Sequence, residues 1–241
     1  MNYVAIDPSL ISTGMVVSNK DTFKIYNYTR ERDVYGKKGM KKWFKMAEEH
    51  VIYRFVEYRE FGDYSEGELT KLKDYDRITD TIIDDILENI DIDEPTEIGI
   101  EGFNFGSKVG DLVDLVAFST LLRKKLFDKV SNNIFVMSPS TLKLESCKLT
   151  YEPIVREIGG KNPRTDYKWR NKIGISGGNF QKPDMYLAIV ENERFDDYWY
   201  KHCKYVKDDL TSVKSINKPY EDCNDAYLIY KVLEQKNSHL M

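Results

Sequence analysis

The sequence predicts a mixed α/β fold: a five-stranded sheet with helices on both faces, interrupted by inserted segments. Three observations predict it. Three short apolar runs follow one another at the start of the chain with turn residues between them. Two later apolar runs are each followed or preceded by segments whose apolar residues recur at helical spacing. Strands that first follow directly and then alternate with helices make a mixed sheet covered on both sides. At 241 residues the chain can bury one sizeable core. We therefore expect a single domain over residues 1–241, with insertions at about 30–73 and 144–177.

Tyr3 to Asp7 reads as a short buried strand that ends in a carboxylate. Gly14 to Ser18 and Thr22 to Tyr28 follow as two more, joined through a hairpin turn at Asn19-Lys20-Asp21. From about Gly39 to Tyr58, the residues Trp43, Ala47, Val51 and Phe55 recur at helical spacing and predict an inserted helix. Past a charged stretch near Gly62 to Gly67, Ile78, Ile82, Ile83, Ile86, Leu87 and Ile90 draw one apolar face of a helix that should cover the sheet. Thr96 to Glu101 is the fourth strand, Val109 to Val130 a long helix, and Asn133 to Met137 the fifth strand, stopped by Pro139. Between about Leu142 and Gln181 periodicity fades among prolines and glycines, so a mobile, partly structured insertion is expected there. Helices at about Pro183 to Glu193 and Glu221 to Glu234 complete the chain.

Composition bounds the function. No apolar run approaches the roughly 20 residues of a spanning helix, which excludes a helical membrane protein. The start shows no basic region followed by an apolar one, so an intracellular protein is expected. Cys147, Cys203 and Cys223 form no CxxC pair and are odd in number, which suits reduced thiols. His202 beside Cys203 does not assemble the four ligands of a zinc site. The formal net charge of −4 argues against a uniformly basic surface, whereas a DNA enzyme needs only a local one. Basic residues cluster at Lys37, Lys38, Lys41, Lys42 and Lys45, and again at Lys161, Arg164, Lys168, Arg170 and Lys172. Each run taken singly is an ordinary solvated face; two separated runs make a DNA groove plausible.

The chemistry resides in carboxylates. Asp7 ends Val-Ala-Ile-Asp and Glu101 ends Ile-Gly-Ile-Glu, so the two acids sit side by side if their strands are neighbours. Asp222 and Asp225, three apart at the start of the last helix, share a face. Read alone, Asp222 is equally a helix cap and Asp7 equally a turn residue, while Glu101 has fewer structural roles open to it. Four converging carboxylates repel one another unless a hard cation sits between them, which implies magnesium.

The segment Asp7-Pro8-Ser9-Leu10-Ile11-Ser12-Thr13-Gly14 resembles the first motif of the RuvC-type Holliday-junction resolvases, D-P-G-S-x-x-T-G, with Ser9 in place of glycine. Ile100-Glu101 with aromatics after it resembles the second motif, and Asp222-Cys223-Asn224-Asp225-Ala226 the closing D-x-x-D-A. Lys182 resembles the family's lysine that contacts the scissile phosphate. The aromatic expected three residues after the glutamate is here Asn104, flanked by Phe103 and Phe105, either of which could wedge against a base at a branch. The resemblance covers the sheet and its flanking helices, not the insertions. The lysine- and asparagine-rich composition with such insertions suggests a viral or phage relative.

This resemblance implies an RNase H-like nuclease that hydrolyses four-way junctions and related branched DNA with two Mg2+ ions, Mn2+ being an alternative, about 4 Å apart. Asp7, Glu101, Asp222 and Asp225 would be the metal ligands, with Lys182 beside them in catalysis. Phe103, Phe105, Lys161, Arg164, Lys168, Arg170 and Lys172 would meet DNA. It also implies a homodimer through the helix near Val109 to Phe127, since a junction has two strands to cut. Rival readings keep the nuclease core with another substrate (a terminase nuclease, an RNA–DNA hybrid, broad branched-DNA cleavage) or make the chain an actin-like ATPase or sugar kinase, for which a second phosphate motif is missing.

Overall fold

The computed structural model describes residues 1–36, 38–60, 62–103, 109–150, 153–159, 164–169, 182–192, 194–211 and 216–238. Contacts divide the chain into two compact units. Met1–Ser138 with Lys218–Met241 form one, and Pro139–Asn217 form the other.

The first unit is built on strands β1 (Asn2–Asp7), β2 (Ser12–Ser18) and β3 (Phe23–Thr29), which pair antiparallel in sequence. Asn19 Oδ1 accepts from the backbone N–H groups of Asp21 and Thr22 at 2.8 and 2.7 Å, fixing the turn between β2 and β3. Helices α1 (Glu31–Tyr35) and α2 (Lys38–Ala47) then lead into β4 (Ile52–Phe55), which lies parallel to β3. After α3 (Tyr64–Leu87), β5 (Thr96–Glu101) runs parallel to β1; α4 (Val109–Lys129) returns the chain to β6 (Ile134–Met137), parallel to β5. The strand order is β4-β3-β2-β1-β5-β6. Three antiparallel strands followed by strands parallel to the first, with helices on both faces, is the mixed α/β, RNase H-like layout expected from the sequence.

Two expectations are corrected. The sheet has six strands rather than five, and the predicted helix from about Gly39 to Tyr58 is α2 followed by β4. Val51 and Phe55 continue the i, i+4 rhythm of Trp43 and Ala47. However, the turn after Ala47 breaks the helix, and the β-branched and aromatic run Ile52-Tyr53-Arg54-Phe55 pairs with β3. Helix α3 also begins earlier than its isoleucines indicate. Asp63 caps it by accepting from Glu66 N at 2.8 Å, while Glu66 reaches back to Gly62 N at 3.0 Å.

One core cluster lies on one face of the sheet. Val4 and Ile6 of β1, Met15 and Val17 of β2, Tyr26 and Tyr28 of β3, and Ile98 and Ile100 of β5 pack beneath α3 and α4, which contribute Tyr75, Ile78, Ile82, Ile83, Ile86, Phe118, Leu122 and Leu126. Each such side chain, fully buried, stabilises the fold by about 1.5–3 kcal/mol. Lys125 ties α4 to α3 through Asp76 and Asp80 at 2.7 and 2.8 Å, and Lys71 bridges to Asp114 at 3.1 Å. Beside this core the buried Asp85 of α3 accepts from Tyr28 Oη at 2.8 Å and from Arg54 of β4, so the added strand is anchored to the helix layer by a charge-assisted bond.

The other face belongs to α9 (Tyr220–Ser238). A Cβ at Gly99 would lie 2.5 Å from Ile229 Cγ2, and at Gly14 only 2.1 Å from the carbonyl oxygen of Asp222. Glycine at both positions lets the helix backbone settle onto β2 and β5.

In the second unit, α5 (Pro139–Thr150) is followed by a hairpin of β7 (Pro153–Ile158) and β8 (Arg164–Trp169), then α6 (Lys182–Val190), α7 (Tyr198–Tyr205) and α8 (Lys207–Thr211). The segment expected to be only partly structured thus opens with a helix and a two-stranded sheet. Pro139 starts a helix, a position where its missing N–H costs nothing. Asn192 closes α6 onto α5 by donating to the Leu149 carbonyl at 3.0 Å.

Candidate metal centre

The register of the sheet brings the first two acids together. Ile6 pairs with Ile100 across the parallel β1–β5 ladder, so the next residues, Asp7 and Glu101, end neighbouring strands at the same level. Side chains alternate along a strand. With Val4, Ile6, Ile98 and Ile100 facing α3 and α4, Asp7 and Glu101 point to the α9 face, as Tyr3 does in packing edge-on against Tyr230.

Helix α9 supplies the third acid. Asp225 stands one turn into it, and the close approach at Gly14, the strand partner of Asp7, sets the depth of that turn. One carboxylate oxygen from each of Asp7, Glu101 and Asp225 lies within 4.8 Å of the other two. Asp7 is 8% exposed and Asp225 1%, with Glu101 half-buried. Unit negative charges at that separation repel by on the order of 3 kcal/mol per pair at an effective dielectric near 20. An all-carboxylate oxygen set with this spacing suits a hard divalent ion such as Mg2+ or Mn2+, whose charge would cancel the repulsion.

Asp222 stands apart from this trio. Its Oδ2 accepts from Ser12 Oγ at 2.5 Å, and its Oδ1 accepts from Lys218 Nζ at 3.2 Å. Ser12 in turn is bonded to the buried Asn27. Asp222 therefore fastens the start of α9 to β2 and β3, and Asp225 is aimed by the same fastening. Ser12 lies inside the first motif, but its bond to Asp222 spans 210 positions of sequence, and sequence reasoning did not find it.

Arg123 of α4 is a second residue that sequence reasoning missed. It donates from Nη2 to the Glu101 carbonyl at 3.3 Å, and its guanidinium lies 4.5 Å from the ring centre of Phe103. The same side chain thus holds the end of β5 and covers the first of the two expected wedge aromatics. Burial pushes the Arg123 pKa down. A lone Arg in the interior turns of a long helix gives no sequence signal of this role.

Lys182 begins α6 in the second unit and is half-buried. Arg164 and Lys168 belong to β8 of that unit. Phe105, Lys161, Arg170 and Lys172 lie outside the described residues, as do Lys37 and Asn104. Among the described residues the carboxylate trio is the one group of three or more potential ligands placed to hold a metal ion. No helix among them is long and apolar enough to cross a membrane.

Fold and site together define an α/β protein with a strand-end carboxylate centre. No family model matches the chain. No curated protein matches it either. Among solved structures it is similar to RuvC of T. thermophilus in complex with a Holliday junction substrate, at 8% identity over 100% of this chain and 96% of that one, with a TM-score of 0.48. It is also similar to Thermus thermophilus RuvC alone, at 10% identity over 98% and 97% of the two chains, with a TM-score of 0.45. Likeness at this level has no weight for function, which rests on the residues of the site.

Proposed function

We propose that this chain is a metal-dependent DNA endonuclease of the RuvC kind, cutting four-way junctions and related branched DNA by phosphodiester hydrolysis. The observation that carries the reading is the convergence of Asp7, Glu101 and Asp225. They belong to the three segments that resemble RuvC motifs, and their positions at the ends of β1 and β5 and one turn into α9 support the reading.

Asp7, Glu101 and Asp225 would hold the ions, the first two from the ends of neighbouring strands and the third from the first turns of α9. Divalent ions bound there supply charge stabilisation of the scissile phosphate and acidify an attacking water. Asp222 acts through position: held by Ser12 and Lys218, it fixes the helix start that aims Asp225. Arg123 holds the end of β5 so that Glu101 keeps its place. Phe103 lies two residues beyond Glu101, where an aromatic ring can press against a base at a branch. Lys182 and the basic residues Lys161, Arg164, Lys168, Arg170 and Lys172 are proposed to contact the DNA backbone, which would make binding salt-dependent. A homodimer supplies two centres for the two strands of a junction.

The test is a panel of labelled four-way junction, fork, flap, duplex and RNA–DNA hybrid incubated with Mg2+, Mn2+ or chelator. Paired nicks in the junction, with 5′-phosphate ends and dependence on the ion, are expected. Cleavage of the hybrid alone would reassign the substrate, and no metal-dependent cleavage of any member would end the nuclease reading.

A further inference from the structure

A cavity of about 440 Å³ opens beside the loop that follows Asp7. Its walls come from that loop (Leu10, Ile11), from α3 and α4 (Tyr75, Asp114), and from the residues flanking β3 and β4 (Arg30, Tyr58). Ser9 is two residues from Asp7 in the chain, and the walls from α3 and α4 put the cavity on the face of the sheet opposite α9.

The charges on its walls are unequally matched. Arg59 pairs with the buried Asp74 at 2.7 Å, and Lys71 with Asp114 and Glu68, both at 3.1 Å. Arg30 pairs with no acid among the described residues. Its guanidinium lies 4.7 Å from the ring centre of Tyr58, and its Nε is shielded from solvent with no acceptor among the described residues. Tyr58 is itself fixed, donating from Oη to the Leu10 carbonyl at 2.8 Å and packing edge-on against Tyr75. Burial, the dominant cause, pushes its phenol up to about 12, so the ring stays neutral under any working condition. The result is a chamber with aromatic walls flanked by ion pairs and, among the described residues, one cation on its wall without a carboxylate partner.

A ligand that matches both features has a flat apolar body and an anionic group. Aromatic rings accept a base by stacking, and a guanidinium edge accepts phosphate oxygens in pairs. We infer that this cavity holds one nucleotide unit, its base among Leu10, Ile11, Tyr58 and Tyr75 and its phosphate on Arg30. Resting on the nuclease reading above, the unit is an unpaired nucleotide of the branched DNA. A free mononucleotide offers the same chemistry.

The experiment uses the full chain in Ca2+, so that binding is read without cleavage. One arm titrates 2-aminopurine deoxynucleoside monophosphate; the other uses junctions with 2-aminopurine at or away from the crossover, followed by emission and by anisotropy. Quenching is expected with the mononucleotide and with the probe at the crossover, and not with the distant probe. Arg30→Gln should weaken mononucleotide binding about tenfold or more, as expected for a charged hydrogen bond, and Arg30→Lys less. Ile11 is 48% exposed, so Ile11→Trp can block the mouth without disturbing the core, and it should abolish quenching in both arms while circular dichroism stays unchanged. Quenching by the mononucleotide alone assigns the pocket to free nucleotide and counts against the DNA source. Junction binding with no quenching in either arm, or quenching indifferent to Arg30→Gln and Ile11→Trp, overturns the pocket while leaving the nuclease reading intact.

Discussion

At the residue scale the carboxylate trio makes a prediction independent of catalysis. Three like charges confined within 4.8 Å destabilise the metal-free protein, and a cation that binds only the folded chain stabilises it. Asp225→Asn, which keeps the shape and removes one charge, should therefore raise the melting temperature in chelator by a few degrees. It should also remove most of the rise that Mg2+ gives the wild type. Scanning calorimetry with and without Mg2+ measures both, and a variant that melts lower in chelator would show that the trio is not under charge repulsion. Asp7→Asn, Glu101→Gln and Asp225→Asn should each abolish junction cleavage with gel-shift affinity largely kept, because affinity comes chiefly from phosphate contacts elsewhere. The three acids were legible in the sequence because each ends or opens a periodic element, which fixes its direction once the strands are paired. The role of Asp222 was not legible: its spacing from Asp225 places both on one side of a helix, yet Ser12 and Lys218 decide where its oxygens go.

At the scale of elements, β1, β2 and β5 were readable as short apolar runs because both faces of the sheet are buried, and the isoleucine stripe of α3 because one face of the helix is. Strand β4 was hidden because Val51 and Phe55 keep the helical rhythm of α2. Helices α7 and α8 were missed because both are short: α7 buries Trp199 and Tyr200 over two turns, and α8 has five residues with Leu210 buried, too few for a periodic stripe. The seat of α9 on the sheet gives a prediction here. A methyl group at Gly14 would collide with the backbone of Asp222, which no side-chain rotation relieves. Gly14→Ala should therefore cost about 3 kcal/mol and, by lifting the first turn of α9, weaken Mg2+ binding in titration calorimetry. Normal stability and metal affinity would show that α9 does not depend on this contact. The α3–α4 contact should weaken in acid. Lys125, then Lys129, hold Asp80 below its ordinary value of 3.8, so its contribution is full above that pH and lost as pH falls through the lower folded value. With Asp80 40% exposed, solvent limits the effect to below about 1 kcal/mol. Urea midpoints at pH 7 and pH 3 should differ less for Asp80→Asn than for the wild type, and equal differences would remove Asp80 from the acid response.

At the scale of the whole molecule, a four-way junction presents two strands, and each chain carries one carboxylate trio among its described residues. A homodimer answers this, and α4 was expected to form it because its apolar residues exceed one stripe. The structure sorts those residues. Phe118, Leu122 and Leu126 are buried in the core, and Leu115 lines the cavity beside the Asp7 loop. Trp43 of the inserted segment packs edge-on against Tyr220 of α9, so its ring is spent on a different helix from α4. On the outward side, Val113, Ala117, Thr120, Lys124 and Phe127 are exposed, Val113 at 63% and Phe127 at 58%. Their spacing alternates four and three residues, the seam along which two helices pair. Val113 and Phe127 are equidistant from Thr120, each about 10 Å away along the axis. A two-fold axis through Thr120 would then set Val113 against the partner subunit's Phe127 twice over, with the short side chains of Ala117 and Thr120 letting the helices approach between them. Lys124 keeps its salt bridge with Asp128 and can reach water from the edge of such a seam. Val113→Glu should place two charges against two phenylalanines and give a folded monomer by light scattering at micromolar concentration. That monomer should cut junctions in uncoordinated single nicks. Leu115→Glu is the poorer probe, since it also charges the cavity wall. A wild-type protein that stays monomeric with and without junction DNA, or a Val113→Glu variant that still makes paired nicks, would place the two-strand chemistry somewhere other than this helix.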